Sequence, residues 1–223
     1  MTLRALTAWA LVLSTGCSEP KPVTTAVPAS TPSSPATQAA FPKAAAPAHC
    51  SYRVKAPATA PYVVEVAARC ENLEVLGFEP DDSALTDFVR KDTLMAPAPG
   101  VVEQVYRVDL DAMATKFDRF DTAARFGTSL VAAASSFLFA PMPAAIGVPV
   151  HVAVDEPAGF ATGLRRGRTG YDIETHELRV ATYTAFGAKE IRSLDAPGTA
   201  LRVALLDGNI ALGADRMARW VET

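Results

Sequence analysis

Four stretches of this chain alternate apolar and polar residues with a period of two, and that pattern restricts the fold more than any other feature. Tyr62, Val64, Val66 and Ala68 fall on one side of their stretch, Glu65 and Arg69 on the other. Val102, Gln104, Tyr106, Val108 and Leu110 oppose Glu103, Arg107 and Asp109 in the same way. Val148, Val150, Val152 and Val154 oppose His151 and Asp155, and Leu201, Val203 and Leu205 oppose Arg202. Successive side chains of a strand point to opposite faces, so each stretch predicts a strand with one face in a core and one toward water. Strands of a parallel sheet covered on both faces would show continuous apolar runs instead. Turn residues separate the strands at Pro97–Gly100, Pro157–Gly159, Gly167–Gly170, Pro197-Gly198 and Asp207-Gly208. The expectation is a mainly β chain, an antiparallel β-sandwich over residues 49–223.

Helical spacing is sparse. Leu110, Met113, Phe117, Phe120 and Ala124 predict one helix over Asp109–Phe126, with Asp109 or Asp111 as its cap. Met217, Trp220 and Val221 share a helical face near the end and suggest the start of a second, over Ala214–Val221. The chain ends with Trp220-Val221-Glu222-Thr223, three residues after that stripe appears at Met217, which reads as a helix cut short and makes Trp220 and Val221 a candidate partner surface.

The first seventeen residues have the layout of an export signal. Arg4 supplies a positive start, Ala5–Leu13 is apolar, and the small residues Ser14, Thr15 and Gly16 precede Cys17. The apolar run is too short to cross a bilayer, which takes about 20 helical residues. Cleavage after residue 16 would leave Cys17 at the new N-terminus, as in a bacterial lipoprotein, although Ser14 stands where leucine is usual. An ordinary cleaved signal with an incidental cysteine is the alternative. Acyl chains on Cys17 would anchor the protein firmly, at about 0.8 kcal/mol per buried methylene. Ser18 after the cysteine matches the outer-membrane sorting choice of Gram-negative lipoproteins, which places the protein in the envelope facing the periplasm.

Residues 17–48 form a linker. Of the 31 residues Ser18–Ala48, 24 are Pro, Ala, Ser or Thr. Such a composition buries too little apolar surface to offset the entropy of ordering, so the segment should stay disordered and act as a tether. Extended polyproline geometry at about 3.1 Å per residue would give it a reach of roughly 90 Å.

The remaining cysteines, Cys50 and Cys70, make an even pair in a chain expected to be exported. A hairpin joining the strands near them would bring the thiols together, and a disulfide there closes a loop worth about 3 kcal/mol on the chain-entropy model. A metal would need more donors nearby than His49 supplies.

Chemistry is hard to find. The net charge is -3 and the pI about 5.6, which argues against nucleic acid as a partner. His176-Glu177-Leu178-Arg179-Val180 begins like a zinc-protease helix, but the second histidine of HExxH is Val180 here. The stretch Arg179–Tyr183 that follows has a strand-like pattern. His49, His151 and His176 are expected at the surface. No GxSxG surrounds Ser129, Ser135 or Ser136, and Asp109, Asp111, Asp118 and Asp121 suit a helix end and an exposed helix face. Arg165, Arg166 and Arg168, set among Gly163, Gly167 and Gly170, form a candidate anion site. A hairpin tip with solvated charges is the plainer reading of that segment. No residue stands out as catalytic, and no motif calls for a metal or cofactor.

Several short pieces, taken in order, resemble the N-terminal, non-catalytic region of bacterial glycyl-aminopeptidase-family zinc metallopeptidases. They are Gln104–Leu110, the apolar piece Ser136–Pro141 read as a strand ending in proline, Pro157–Leu164 after a valine-rich strand, Ala181–Gly187, Leu201–Gly208 and Trp220-Val221. Together they span roughly 160 residues from Tyr62 onward. The resemblance implies a β-sandwich that packs on a thermolysin-like domain carrying HExxH, a domain that would follow residue 223. None of its zinc ligands maps onto this sequence.

The functional expectation is therefore a tethered β-sandwich that binds or packs against a peptide or partner protein. One alternative is the non-catalytic portion of a zinc aminopeptidase whose zinc domain lies on a separate or lost segment. Another is an envelope lipoprotein that holds a small ligand between its sheets.

Overall fold

The computed structural model describes residues 11–15, 46–180, 182–196 and 199–208. The strands are β1 (Leu11–Thr15), β2 (His49–Lys55), β3 (Val63–Glu71), β4 (Gly77–Glu79), β5 (Val89–Lys91), β6 (Met95–Ala98), β7 (Val101–Asp109) and β8 (Ala123–Phe126). They continue as β9 (Ser129–Ala133), β10 (Ala140–Met142), β11 (Pro149–Asp155), β12 (Ala161–Thr162), β13 (Tyr171–Glu174), β14 (Tyr183–Phe186), β15 (Glu190–Ala196) and β16 (Thr199–Leu205). Among the described residues one α-helix, α1, covers Leu110–Phe117.

The large sheet has the order β13-β11-β2-β3-β7-β5, with β6 also on β7; a second sheet has the order β12-β14-β9-β8. Both turn apolar faces inward. Val64, Val66, Tyr106 and Val108 from the first share one buried cluster with Leu130, Ala132 and Phe186 from the second. That makes the fold a β-sandwich, as the alternation predicts. Phe186 sits at the junction, 6.0, 5.8 and 5.6 Å from the rings of Tyr62, Phe137 and Phe160. The Tyr62 hydroxyl ties the sheets directly by donating to the Thr128 carbonyl at 2.8 Å.

Between β9 and β10 the chain crosses the core as an irregular apolar segment pinned by two tyrosines of the large sheet. The Tyr106 hydroxyl donates to the Phe137 carbonyl at 3.1 Å and accepts from the Phe139 amide at 3.0 Å. The Tyr52 hydroxyl donates to the Phe139 carbonyl at 2.7 Å. Burial drives both phenols well above their ordinary pKa.

Hairpin β15–β16 joins the sandwich through Asp207. Its carboxylate accepts from the Thr128 amide and hydroxyl at 2.9 and 2.8 Å, and these bonds hold its pKa below the usual carboxylate value. The turn that receives it requires glycine: Gly127 has φ +56°, and a Cβ there would lie 2.5 Å from the Asp207 carboxylate. β1 runs antiparallel on the other edge of β16.

Several expectations are corrected. The predicted helix over Asp109–Phe126 stops at Phe117. Asp109 caps its start, accepting from the Ala112 amide at 2.9 Å, but Asp118 is left-handed at φ 46° and ends it. Ala123 and Ala124 are then buried as part of β8, so the helical spacing of Phe120 and Ala124 carries no helix. β11 pairs with β2 in parallel, not antiparallel. Alternation reports which faces are buried, not strand direction, and the outer face of this sheet is open. The expected strand through Ser136–Pro141 is instead a 3-10 turn over Ala134–Ser136, the irregular crossing segment, and β10. Arg179–Tyr183 is likewise no single strand: a 3-10 turn covers Glu177–Arg179, and β14 begins only at Tyr183. Cys17, nearly all of the linker, and the second helix with Trp220 and Val221 lie outside the described residues.

Candidate functional site

Cys50 and Cys70 lie directly opposite each other on β2 and β3 and form a disulfide with a Cα separation of 4.1 Å. Both are fully buried. The bond crosslinks neighbouring central strands, and no metal donors gather around it: among the described residues no three His, Cys, Asp or Glu side chains converge.

Of the three arginines of the candidate anion site, Arg166 and Arg168 line one hollow of about 410 Å³ with Gly167, Thr169 and Gly170, and Arg165 lines another. Arg166 reaches Glu156 at 2.5 Å and lies 5.5 Å from the centre of the Tyr171 ring, while Tyr171 also donates to Glu156 at 2.7 Å. Arg165 Nε is held by the Asp172 carbonyl at 3.0 Å and faces a different hollow, lined by His49, His151 and Glu174. Arg168 lines the surface beside Arg166. The segment turns as a backbone hairpin, with Gly167 N–H bonded to Gly170 O at 2.8 Å. Glu156 already neutralises the guanidinium nearest the centre.

The histidines all lie beside carboxylates near the surface: His49 with Glu71 at 3.8 Å, His151 with Asp172 at 2.8 Å and His176 with Glu174 at 3.3 Å. Ser129 is buried and structural, donating to the Gly187 carbonyl at 2.8 Å and accepting from the Asp207 amide at 2.9 Å.

A concavity whose walls the sequence did not single out lies on the open face of the large sheet. It encloses about 410 Å³ and is lined by side chains of Ser51, Arg53, Ala67, Arg69, Met95, Glu103, Val105, His151 and Ala153. Strand register sets its shape. One cross-strand row on the outer face reads Ala153, Arg53, Ala67, Val105, and the next reads His151, Ser51, Arg69, Glu103. Small residues in both rows form a floor. On one side stands the row Lys55, Glu65, Arg107, in which Glu65 takes Arg107 at 2.8 Å and Lys55 at 3.1 Å. The Arg107 bond first, then the Lys55 bond, holds the Glu65 carboxyl below its usual pKa. Toward the other side Arg69 bridges Glu71, at 2.7 Å, and Glu103. Met95, half exposed on β6, forms a rim at the β7 end.

Arg53 is the exception among the charged groups lining this groove. Arg69, Glu103 and His151 are each paired, whereas no carboxylate or carbonyl among the described residues holds the Arg53 guanidinium. Among the described residues the groove thus carries a guanidinium without an ion-pair partner near its centre. Its volume falls in the range of small-ligand sites, about 300–1,000 Å³. Nothing in the alternation alone could reveal it, because the floor depends on which small residues become cross-strand neighbours. Comparisons with protein-family models, curated proteins and solved structures return no match.

Proposed function

We propose that this protein is an exported, lipid-anchored binding module of the cell envelope, held to the membrane at Cys17 and presenting the open sheet face to a peptide or partner protein. The observation that carries the binding role is the groove around Arg53. It is formed by side chains at the solvent-facing register positions of four adjacent strands, a rigid platform for recognition. The interior of the sandwich is filled by aromatic rings, which favours a ligand outside the sheets over one between them. The disulfide supports the address, since such bonds persist in oxidising compartments.

The test of the anchor is mass spectrometry of the mature N-terminus together with membrane fractionation. A diacylglyceryl mass on Cys17, with Cys17→Ala protein released into the soluble periplasmic fraction, is the expected result. An unmodified N-terminus elsewhere in the chain would sink the lipid anchor.

A second reading is the accessory portion of a zinc aminopeptidase, favoured by the sandwich architecture that the family resemblance implies. Transcript sequence beyond codon 223 distinguishes the two. An HExxH encoded there, in frame or after one shift, would move the activity to that domain.

A further inference from the structure

We infer that the groove on the open sheet face binds an extended peptide segment by a carboxylate, with Arg53 as the anchor. The inference rests on the binding-module reading and gives it a ligand chemistry.

The groove runs across the strands rather than along them, from β11 through β2 and β3 to β7. Three interstrand steps of about 4.8 Å make it roughly 14 Å long, the span of about four extended residues. A ligand lying across the strands cannot join the sheet through its own backbone, because the strands beneath are already paired on both sides. Recognition must come from the side chains of the face. Of these, the flanking pairs are satisfied internally, and a ligand gains little by competing with Glu65 for Arg107 or with Glu103 for Arg69. Arg53 has no such competitor among the described residues. A planar guanidinium with free donors takes a carboxylate through two parallel N–H···O bonds.

The floor defines the rest of the ligand. Arg53 lies between Ala153 and Ala67 in its own row, so the residues beside the carboxylate rest on methyl groups. Val105 and Met95 at one end offer an apolar seat for a small aliphatic side chain. The fitting segment is short and extended, with an acidic residue flanked by small or aliphatic ones.

The experiment uses the full chain, extracted in detergent, and fluorescence anisotropy with three labelled tetrapeptides. These are acetyl-Ala-Val-Asp-Ala-amide, the same peptide with Asn for Asp, and acetyl-Ala-Val-Ala-Ala with a free terminal carboxylate. The Asp peptide is expected to bind at least about tenfold tighter than the Asn peptide, and Arg53→Gln to remove that difference. Raised salt should weaken the Asp peptide selectively. Tight binding of the third peptide, equally lost in Arg53→Gln, would assign the carboxylate to a chain end. Arg168→Gln, on the neighbouring hairpin, should leave all three affinities unchanged. Equal binding of Asp and Asn peptides with no tighter binding of the third, unchanged binding in Arg53→Gln, or no binding by any of the three overturns the inference. Because Arg53 is exposed and makes no bond to the described residues, loss of structure does not confuse the result, which circular dichroism of the variant checks. A failed lipid assay leaves these affinities untouched, so the two failures are separable.

Discussion

Replacing Tyr106 by Phe removes a single oxygen from the centre of the fold, and the structure sets what that oxygen is worth. It donates to the Phe137 carbonyl and accepts from the Phe139 amide, both buried, at 3.1 and 3.0 Å. Phe fills nearly the same volume and keeps the ring stacked on Phe139 at 4.6 Å, so packing contributes little to the change. Two backbone groups, however, lose their partner in a place water does not reach. Each buried group left unsatisfied costs about 1–3 kcal/mol, which gives roughly 2–4 kcal/mol for the pair after partial relaxation. Tyr52→Phe is the internal comparison. Its hydroxyl serves only the Phe139 carbonyl, and the expected loss is about 1–2 kcal/mol. Urea denaturation followed by circular dichroism reads both, with the slope of the transition checked for constancy. Because both hydroxyls hold one short segment, the double variant should lose less than the sum of the singles. A Tyr106→Phe protein within about 0.5 kcal/mol of the parent, or one more stable than Tyr52→Phe, would refute the view that these phenols pin the crossing segment.

The same two phenols predict an alkaline limit to stability. Their pKa is raised in the folded state, so the unfolded chain releases these protons first; the contribution is complete below the unfolded value near 10 and is lost as pH rises above it. The double Phe variant should show a flatter denaturation midpoint between about pH 9 and 11. Reducing the Cys50–Cys70 bond, or replacing both cysteines by alanine, should remove about 3 kcal/mol, read as a lower urea midpoint. Asp109→Ala should cost about 1 kcal/mol through loss of the bond to the Ala112 amide, measured in the same assay. Gly127→Ala should be worse than an ordinary surface change, by about 1–2 kcal/mol from the left-handed backbone alone, and a melting temperature equal to the parent's would contradict the tight docking of Asp207.

What the sequence made legible follows the physics of alternation. Val64, Val66, Tyr106 and Val108 were readable as core because little besides a half-buried strand produces a period of two, and Cys50 facing Cys70 followed from the hairpin they flank. Asp118 was not readable as a helix stop, since a left-handed aspartate has no signature in hydropathy. Short strands such as Gly77–Glu79 and Met95–Ala98 span fewer residues than a periodicity needs. At the candidate site the difficulty was of another kind. Arg165, Arg166 and Arg168 are close in sequence yet only Arg166 and Arg168 line the same hollow, while Arg53, Ala67, Val105 and Ala153 are scattered in sequence and meet only through register. A basic run is visible to the eye, but an arginine in this groove without an ion-pair partner among the described residues is not.

The position of the disulfide also bears on how the domain meets mechanical load. In a chain anchored at Cys17 as proposed, a pull along the linker enters through β2, which is neither an edge strand nor a free end. It is bonded along its length to β3 on one side and β11 on the other, and is welded to β3 one residue after it begins. Force along that line loads many hydrogen bonds in shear at once instead of peeling them one by one, and the crosslink passes it straight to the neighbouring strand. A domain fastened in this way would yield last at the point where it is pulled.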